Sequence, residues 1–380
     1  MDAHNLWRRL IAPWKRRKRK AAGAATAQGF DKARDAQRTS GPALVFADLG
    51  GSHGLSCAAV YDLVTIRAQH SVVQVVDIGP FIADKTSERP AIADGCENVY
   101  FLCQPDALSS ILPGLTPALI ARAYRVGRWV WETPIFPEAW RFAENLVHEV
   151  WAPSLFCAET FRRALSLPVH VVPHAVTAPA RPAVSMRHGL GIPDDIFLGV
   201  AIMDIRTCPE RKNPWAHVRA WLAAFGSDPT AVLILKVRVG RRTALVLDEL
   251  REIIGEARNI RLMTHELTRE DIAALHHAAD AYLSLHRSEG YGLNIHEALA
   301  CGKPVIATHW SANAEYGPTF RNYHPVDFGL VDYRDWTGHY ADTAFQWADA
   351  DLGAAAETLR SLRDRHHRER AWTTDLAEVA

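Results

Sequence analysis

Short apolar runs alternate with longer amphipathic stretches from about residue 43 onward. The runs in the first half of the chain predict strands at Ala43–Ala47, Val72–Val76, Val99–Leu102, Trp129–Trp131, Glu149–Ala152 and His170–Val172. Stretches such as Leu55–Gln69 and Leu115–Tyr124 lie between them and are predicted to be helices. Strands that alternate with helices predict βαβ units, and hence a parallel sheet with helices on both faces.

A proline-rich segment, residues 177–182, interrupts this alternation, which then resumes. The strands predicted after it are Phe197–Met203, Ala231–Val237, Asn259–Leu262, Ala281–Leu285 and Pro304–Ala307. Helices are predicted at Pro214–Phe225 and Ala244–Ala257, and a charged amphipathic helix at Leu352–Arg370. The fold class is therefore α/β, with two Rossmann-like lobes expected to face each other across a cleft.

The same pattern divides the chain into four parts. We expect a basic arm at 1–40, a first Rossmann-like lobe at 41–180, a second at 181–340 and a closing helical tail at 341–380. The 380 residues suit two domains of ordinary size. Because 48% of the residues are apolar and 23% charged, the composition is that of a globular protein with real cores.

The net charge, the cysteines and the lack of a long apolar run bear on the expected partner and compartment of the protein. The formal net charge is zero, so the overall field gives no reason to expect a nucleic-acid partner. Six scattered cysteines form no C-x-x-C pair, and no run reaches the roughly 20 apolar residues of a membrane span. We therefore expect a cytoplasmic protein in a reducing compartment, with plain buried thiols.

The N-terminal arm differs from the rest of the chain. Trp7 and Trp14 come before an unbroken basic run, Lys15 to Lys20, and Trp14 is next to it. Such a segment is typical of a flexible tail. Residues 1–20 could instead rest on an anionic membrane surface at the inner face of the plasma membrane.

The richest local chemistry lies in the second lobe, between the predicted strand Ala281–Leu285 and the helix that follows. Glu289 and Glu297 stand eight positions apart, one in the loop and one in the helix. Open α/β sheets bind ligands in this crevice, beyond the carboxyl ends of the strands. Gly290 and Gly292 precede the helix start near Asn294, where backbone N–H groups can bind an anion.

Basic residues follow other strands of the same lobe. Arg211 and Lys212 come soon after one predicted strand, and Lys236 ends the next. A guanidinium offers a planar fork and an ammonium a point charge, so these residues could hold a diphosphate without a metal. An Arg-Lys pair at a helix start can equally be solvated surface.

Two features of the first lobe could carry chemistry. Gly50 and Gly51 lie in a loop after the first strand, where glycines allow a ligand close to the backbone. This loop also contains G-x-S-x-G around Ser52, the signature of an α/β-hydrolase nucleophile, although no acid and histidine follow in the required order. Glu132 follows another predicted strand, and it could orient an acceptor hydroxyl or cap the next helix.

The segment from Glu289 to Glu297 resembles the E-x7-E motif of retaining GT-B glycosyltransferases of family 4, bacterial glycosyl transferases group 1. The sequence segments around it, HRSEGYGL and EALACGKPVIAT, are similar to the corresponding segments of that family. The segment Arg211-Lys212-Asn213-Pro214 is similar to the family's donor-diphosphate motif. Trp347-Ala348-Asp349 followed by Leu352 resembles the start of the family's closing helix. The resemblance extends from about Ala43 to the C-terminus.

The resemblance implies transfer of a sugar, of hexosyltransferase type and with retention of anomeric configuration, from a nucleotide-diphosphate-sugar donor without a metal or other cofactor. The acceptor would be a glycan or a lipid-linked molecule in cell-surface polysaccharide or lipopolysaccharide biosynthesis. Arg211 and Lys212 would stabilise the leaving diphosphate, Glu289 would hold the sugar and Glu297 the ribose. The wider expected donor site comprises Gly50, Gly51, Lys236, Gly290, Tyr291, Gly292, Leu293 and Asn294, with Glu132 on the acceptor side.

Two other functions stay open at this point. The chain could be a nucleotide-sugar-binding module without transfer activity, or a hydrolase that uses Ser52. Family members often carry a histidine near the sugar in the first lobe, and the region of Trp131 and Glu132 occupies that neighbourhood here.

Overall fold

The computed structural model describes residues 27, 29–51, 53–82, 92, 95–115, 117–240, 243–335, 338–340 and 344–379. Most of the predicted basic arm and Ser52 lie outside these residues. The chain divides into two compact units. The first extends up to Ala175 and includes Tyr340, and the second begins at Val176 and includes the C-terminal helix.

The first unit contains a six-stranded parallel sheet in the order β2-β1-β3-β4-β5-β6. Its strands are β1 Ala43–Ala47, β2 Val73–Asp77, β3 Asn98–Leu102, β4 Tyr124–Arg128, β5 Glu149–Ala152 and β6 Val169–Val171. The connecting helices are α1 Gly54–Arg67, α2 Gly79–Ile82, α3 Pro105–Ile111, α4 Pro117–Ile120 and α5 Leu155–Arg162, with 3₁₀ turns at Leu112–Gly114 and Glu138–Asn145.

The second unit contains another six-stranded parallel sheet, in the order β12-β11-β10-β7-β8-β9. Its strands are β7 Phe197–Asp204, β8 Ala231–Arg238, β9 Ile260–Met263, β10 Ala281–Ser284, β11 Val305–Thr308 and β12 Tyr323–Val326. Its helices up to this point are α6 Met186–Gly189, α7 Pro209–Lys212, α8 Pro214–Phe225, α9 Ala244–Ile254, α10 Arg269–Ala278, α11 Leu293–Ala300 and α12 Asn313–Tyr316, with a 3₁₀ turn at Gly317–Thr319.

An antiparallel pair and a long helix complete the second unit. The pair is β13 Phe328–Asp332 with β14 Gln346–Ala350, and the helix is α13 Leu352–Val379. Helix α13 lies against α8, where the Arg363 guanidinium sits 5.3 Å from the centre of the Phe225 ring. None of the helices described here is long and apolar enough to cross a membrane. The predicted α/β class with two parallel sheets is confirmed.

A close approach explains how α8 packs on its sheet. Gly199 lies in the buried strand β7, and a Cβ there would be 2.4 Å from the ring of Trp221 on α8. The Trp221 side chain is fully buried and stacks on Phe197 with 6.2 Å between ring centroids. Burying an aromatic ring of this size is a large hydrophobic gain, and Gly199 permits the close approach of α8 that this burial requires.

Two predictions around β4 are wrong. Trp129–Trp131 is not a strand, because β4 ends at Arg128. Among the described residues of the predicted helix Leu115–Tyr124 only α4, Pro117–Ile120, is helical, and Tyr124 is the first residue of β4. The strand was hidden because Arg125 and Arg128 suggest a surface segment, although both are buried. The Arg128 guanidinium donates two 2.9 Å hydrogen bonds to the Asp62 carboxylate, which makes its burial tolerable. Trp129 and Trp131 are buried by ring packing on Trp140.

The start of the closing helix also differs from the prediction. Trp347, Ala348 and Asp349 lie in β14, paired with β13, and the helix begins at Leu352. The Asp351 carboxylate accepts backbone N–H bonds from Gly353 and Ala354, so it caps the first turn.

A buried histidine joins two segments near the end of β10. His217 lies on α8, where its Nδ1 contacts the Asn213 carbonyl at 2.9 Å and its Nε2 contacts the Leu285 N–H at 2.9 Å. Donation at Nδ1 and acceptance at Nε2 require the neutral imidazole. Burial lowers the pKa of His217 from 6.5 to about 4, which is consistent with that form.

We predict that His217 makes the protein less stable in acid. The unfolded chain binds a proton on this ring below about pH 6.5, whereas the folded protein does so only near pH 4. The free energy of unfolding therefore decreases as the pH is lowered from about 6.5 to about 4. His217→Gln keeps an acceptor for Leu285 and removes the titration. We expect the slope of stability against pH to become smaller by up to about 1.4 kcal/mol per pH unit.

Urea unfolding between pH 4 and pH 7.5 measures this slope. The same substitution at His188, an exposed histidine on α6, is the matched control and is expected to leave the slope unchanged. An unchanged slope in His217→Gln would contradict the prediction.

Candidate functional site

The centre of the candidate site is a buried carboxylate held by two cations. Glu289 follows β10 in the chain, and its side chain is 11% exposed. One carboxylate oxygen lies 3.1 Å from Arg211 Nη1 and the other 2.5 Å from Lys212 Nζ. Arg211 and Lys212 end the short helix α7, so the structure brings together three predicted site residues that lie 77 and 78 positions apart.

These contacts determine the ionisation of Glu289. Burial by itself would raise the pKa of the carboxyl group, but the Lys212 ammonium and the Arg211 guanidinium lower it to about 2. Glu289 is therefore ionised at neutral pH and carries no proton to donate. Two cations and one carboxylate leave one formal positive charge on this cluster.

Backbone contacts hold the two loops together. The Arg287 N–H donates to the Arg211 carbonyl at 2.7 Å, and the Arg211 side chain donates to the Ser288 carbonyl at 3.0 Å. The Glu289 N–H donates to Ser311 Oγ at 2.8 Å. Ser311 has a φ of 64°, a strained conformation for a residue other than glycine, and such strain is often found at functional sites.

Arg287 and Asp349 form a support that sequence reasoning missed. Arg287 Nε and Nη2 contact Asp349 Oδ1 at 2.8 and 2.7 Å, and Asn213 Nδ2 contacts the same oxygen at 3.3 Å. Asp349 lies in β14, a strand that was not predicted. Ser311 likewise carried no sequence signal, because a lone serine in a loop has no distinguishing pattern.

The glycine-rich turn leads directly into α11. Gly292 has a φ of 82° and stands at the N-cap of the helix, and a Cβ there would meet Ile295 and the Tyr316 hydroxyl at 3.0 and 3.2 Å. Gly290 is buried, whereas Leu293 and Asn294 are half-buried at the first turn. Gly292 is thus required for the turn itself, and the helix start has the N–H groups that suit an anion.

Tyr291 is part of the packing around this turn. Its ring is 5% exposed, and its hydroxyl lies 2.8 Å from His296 Nδ1. The His296 ring stacks on Tyr316 at 4.7 Å, and the Tyr316 hydroxyl donates to the carbonyls of Tyr291 and Gly292. These contacts make the turn rigid.

Glu297 lies on α11 and is half-buried, with a side chain that is 12% exposed. Its Oε2 is 3.5 Å from Nε2 of His276, a fully buried histidine on α10. This partner was not recognised from the sequence, because His276 is one of 18 histidines.

Lys236 belongs to different surroundings. It lies within β8, which continues to Arg238, and its Nζ donates to the Val237 carbonyl at 3.3 Å. Burial lowers the pKa of Lys236, and its charged neighbours are Glu266, Arg238 and Asp204. No described contact joins Lys236 to the cluster of Arg211, Lys212 and Glu289.

In the first unit, Gly50 and Gly51 lie in the loop after β1. A Cβ on Gly51 would be 2.3 Å from Ser56 Oγ and 2.9 Å from Asp48 Oδ2, so the loop's own side chains fill this space. A Cβ on Gly50 would meet only Asp77, at an ordinary 3.8 Å. Gly51 is therefore needed for packing within the loop.

The same loop contains a polar cluster that sequence reasoning missed. His53 Nε2 lies 2.7 Å from Asp48 Oδ2 and 3.0 Å from Ser56 Oγ, and Ser56 Oγ donates to Asp48 Oδ2 at 2.8 Å. The Ser56 hydroxyl donates its proton to Asp48, whereas a Ser-His-Asp relay needs the serine proton directed at the histidine, so Ser56 is not arranged as a nucleophile. Ser52 itself lies outside the described residues.

Glu132 is half-buried in the first unit beside an aromatic cluster. Its Oε2 accepts a 3.1 Å hydrogen bond from the Tyr340 hydroxyl, and the Tyr340 ring packs on Trp131 at 5.1 Å. The 3₁₀ turn that follows starts at Glu138 with Pro137 as its N-cap, so Glu132 does not cap it.

Among the described residues, three potential metal ligands lie close together. The ligand atoms of Cys208, Glu210 and Asp335 are within 4.8 Å of one another. Burial raises the pKa of the Cys208 thiol well above its usual value, and a protonated thiol is a poor metal ligand. The Tyr333 hydroxyl already donates to Asp335 at 2.9 Å.

The chain is similar to one protein-family model and to several solved structures. Residues 249–317 match the model described as Glycosyl transferases group 1. This segment contains Glu289, the glycine turn and Glu297, but not Arg211 or Lys212. No curated protein sequence matches the chain significantly.

Solved structures share the fold at low sequence identity. HepE from Anabaena, in complex with UDP and glucose, has 17% identity and a TM-score of 0.52, with 88% of this chain and 99% of that chain covered. WaaG, a glycosyltransferase involved in lipopolysaccharide biosynthesis, has 14% identity and a TM-score of 0.58, with 86% and 92% covered.

The N-terminal domain of trehalose-6-phosphate phosphatase from Candida albicans has 11% identity and a TM-score of 0.52, with 89% of this chain and 94% of that chain covered. The fold therefore also occurs in a protein named for another activity. It is the fold of solved GT-B glycosyltransferases, and residues 249–317 bear the sequence signature of the group 1 glycosyl transferases.

Proposed function

We propose that the protein is a retaining glycosyltransferase of family 4 that moves a sugar from a nucleotide-diphosphate-sugar donor to a glycan or lipid-linked acceptor. The observation that carries the proposal is the buried cluster of Arg211, Lys212 and Glu289 beside the glycine turn of α11. It lies at the carboxyl ends of parallel strands, where α/β sheets bind nucleotides.

The charges of the cluster suit a leaving diphosphate. Breaking the bond between sugar and diphosphate builds negative charge on the phosphate oxygens. Arg211 and Lys212 are held in place by Glu289 before any ligand arrives, so little reorganisation is needed when that charge develops. The N–H groups at the start of α11 add positive potential at the same loop. This cationic arrangement supports transfer without a metal.

The carboxylates take binding roles. With a pKa of about 2, Glu289 is a permanent acceptor, so we assign it to the hydroxyls of the donor sugar and to the positioning of both cations. Glu297 accepts from the ribose hydroxyls. HepE is described in complex with UDP and glucose, and a UDP-hexose is therefore the first donor to test.

The acceptor side is assigned to the first lobe. Glu132 Oε2 accepts a hydrogen bond from the Tyr340 hydroxyl. An acceptor hydroxyl at the position of the Tyr340 hydroxyl would donate to the same carboxylate oxygen. WaaG is named for lipopolysaccharide biosynthesis, which supports a role in cell-surface polysaccharide or lipopolysaccharide assembly. Residues 1–20, with their basic run, would bring the protein to the anionic inner face of the plasma membrane.

We predict that a nucleoside diphosphate stabilises the protein without metal. A ligand that binds only the folded state raises the melting temperature, by an amount that grows with its concentration relative to its Kd. A thermal-shift screen of UDP, GDP, ADP and dTDP and their sugars, in EDTA, measures this. Absence of any shift across the series would count against the transferase.

A measurement of turnover then distinguishes an enzyme from a module that only binds the nucleotide sugar. We expect the nucleotide sugar that gives the largest shift to release its nucleoside diphosphate when a lipid-linked or glycan acceptor is added. Binding without turnover on any acceptor would favour the module. Esterase activity that survives Glu289→Ala would favour the hydrolase.

Substitutions test the division of labour between the lobes. Lys212→Ala removes one of two cations from the diphosphate site, and we expect about tenfold weaker binding of the selected nucleoside diphosphate, since hydrogen bonds to charged groups are worth about 1.5–3 kcal/mol. Arg211→Ala should weaken binding at least as much. Arg219→Ala, which removes an exposed guanidinium on the adjacent helix α8, is the matched control.

Glu132→Ala should leave nucleotide affinity within about twofold of the wild type while it lowers turnover with the acceptor. Isothermal titration calorimetry gives the affinities. Equal losses of affinity in Arg211→Ala and Glu132→Ala would show that the assignment of donor and acceptor sides is wrong.

A further inference from the structure

His276 is a buried polar side chain that the site described so far does not use. It lies in the last turn of α10 and has no exposed surface. Its ring packs beside Tyr282, with 5.3 Å between ring centroids. Among the described residues, neither of its ring nitrogens has a hydrogen-bond partner.

An imidazole in this position requires an explanation. Buried polar atoms in folded proteins are almost always hydrogen-bonded, because leaving one unsatisfied costs free energy. A phenylalanine or leucine would fill the same space against Tyr282 without that cost. The ring nitrogens therefore point to a role other than packing.

The polar group that His276 approaches is the carboxylate of Glu297. His276 Nε2 lies 3.5 Å from Glu297 Oε2, which is longer than a good hydrogen bond but short enough to become one with a small movement. The neighbouring His277 points elsewhere, since its Nε2 contacts the Pro179 carbonyl at 2.9 Å.

Orientation matters for the role assigned to Glu297. A glutamate side chain has three rotatable bonds, and fixing them opposes binding entropically. A donor behind one carboxylate oxygen would hold the group in one orientation. Such a supporting contact has the same effect as the partners that orient metal ligands and catalytic side chains.

We propose that His276 is a positioning residue for the donor nucleotide: its Nε2–H donates to Glu297 Oε2 and directs the carboxylate toward the ribose hydroxyls. The inference rests on the proposed function, because it needs Glu297 to bind a ribose. His276 acts only through Glu297 and touches no reacting atom.

The test compares two substitutions that differ in one donor. His276→Phe keeps a planar ring and removes both nitrogens, whereas His276→Gln keeps an N–H group at the position of Nε2. We expect His276→Phe to weaken UDP binding by about tenfold and His276→Gln to stay within about threefold of the wild type. His277→Phe, on the same helix, is the matched control and should bind UDP like the wild type.

Two further measurements show whether the effect passes through Glu297. The wild type should lose affinity when UDP is replaced by 2′-deoxy-UDP, and His276→Phe should lose less. In a Glu297→Gln background, adding His276→Phe should change UDP affinity by less than about twofold. Calorimetry gives each Kd. If the thermal-shift screen selects GDP or ADP instead of UDP, that nucleotide and its 2′-deoxy analogue are used.

The outcomes separate the inference from the proposed function. If the wild type binds no nucleoside diphosphate, the proposed function fails and this inference with it. If the wild type binds but folded His276→Phe binds equally well, or if its effect adds fully to that of Glu297→Gln, His276 does not position Glu297. Thermal melting verifies folding, and His276→Met replaces the phenylalanine variant if that variant does not fold.

Discussion

The second lobe depends on one buried ionic cluster. Glu289 is almost fully removed from water, and a carboxylate in that position is tolerated only because Arg211 and Lys212 lie against it. The cations stand on α7 and the carboxylate follows β10, so the cluster joins two crossovers of one sheet. Removing a single partner would leave an uncompensated buried charge. The chain must therefore hold both loops within hydrogen-bond distance, and much of the surrounding structure does so.

Two residues, His217 and Arg287, support these loops. His217 joins the Asn213 carbonyl to the Leu285 N–H, and only its neutral form can do both. Arg287 contacts Asp349 with its guanidinium, while its own N–H donates to the Arg211 carbonyl. His217 and the Arg287 N–H connect the loop of the cations to the loop of Glu289, and Asp349 holds the Arg287 side chain, so the site is preorganised. Such preorganisation is what charge stabilisation in a transferase requires.

The first lobe shows the same use of buried charge for a different purpose. Arg128 and His174 both contact the Asp62 carboxylate, and all three side chains are buried. Burial opposes ionisation of Asp62, but His174 and Arg128 lower its carboxyl pKa. This network connects α1, β4 and the end of the first unit. Here the charges hold elements together, whereas in the second lobe they form the candidate site.

The sequence by itself predicted the fold class, most of the strands and the glycine turn, and it singled out Glu289, Arg211 and Lys212, because these follow from local periodicity and a short motif. Tertiary structure decided the rest. β4 was obscured by Arg125 and Arg128, whose burial depends on distant partners, and β14 was assigned to a helix although it supplies Asp349. Lys236 lies within β8, and no described contact joins it to the cluster. His276 is one histidine among many until α10 packs it against Glu297. Periodicity records which face of an element is buried, but the pairing of charges far apart in the chain is a property of the folded packing alone.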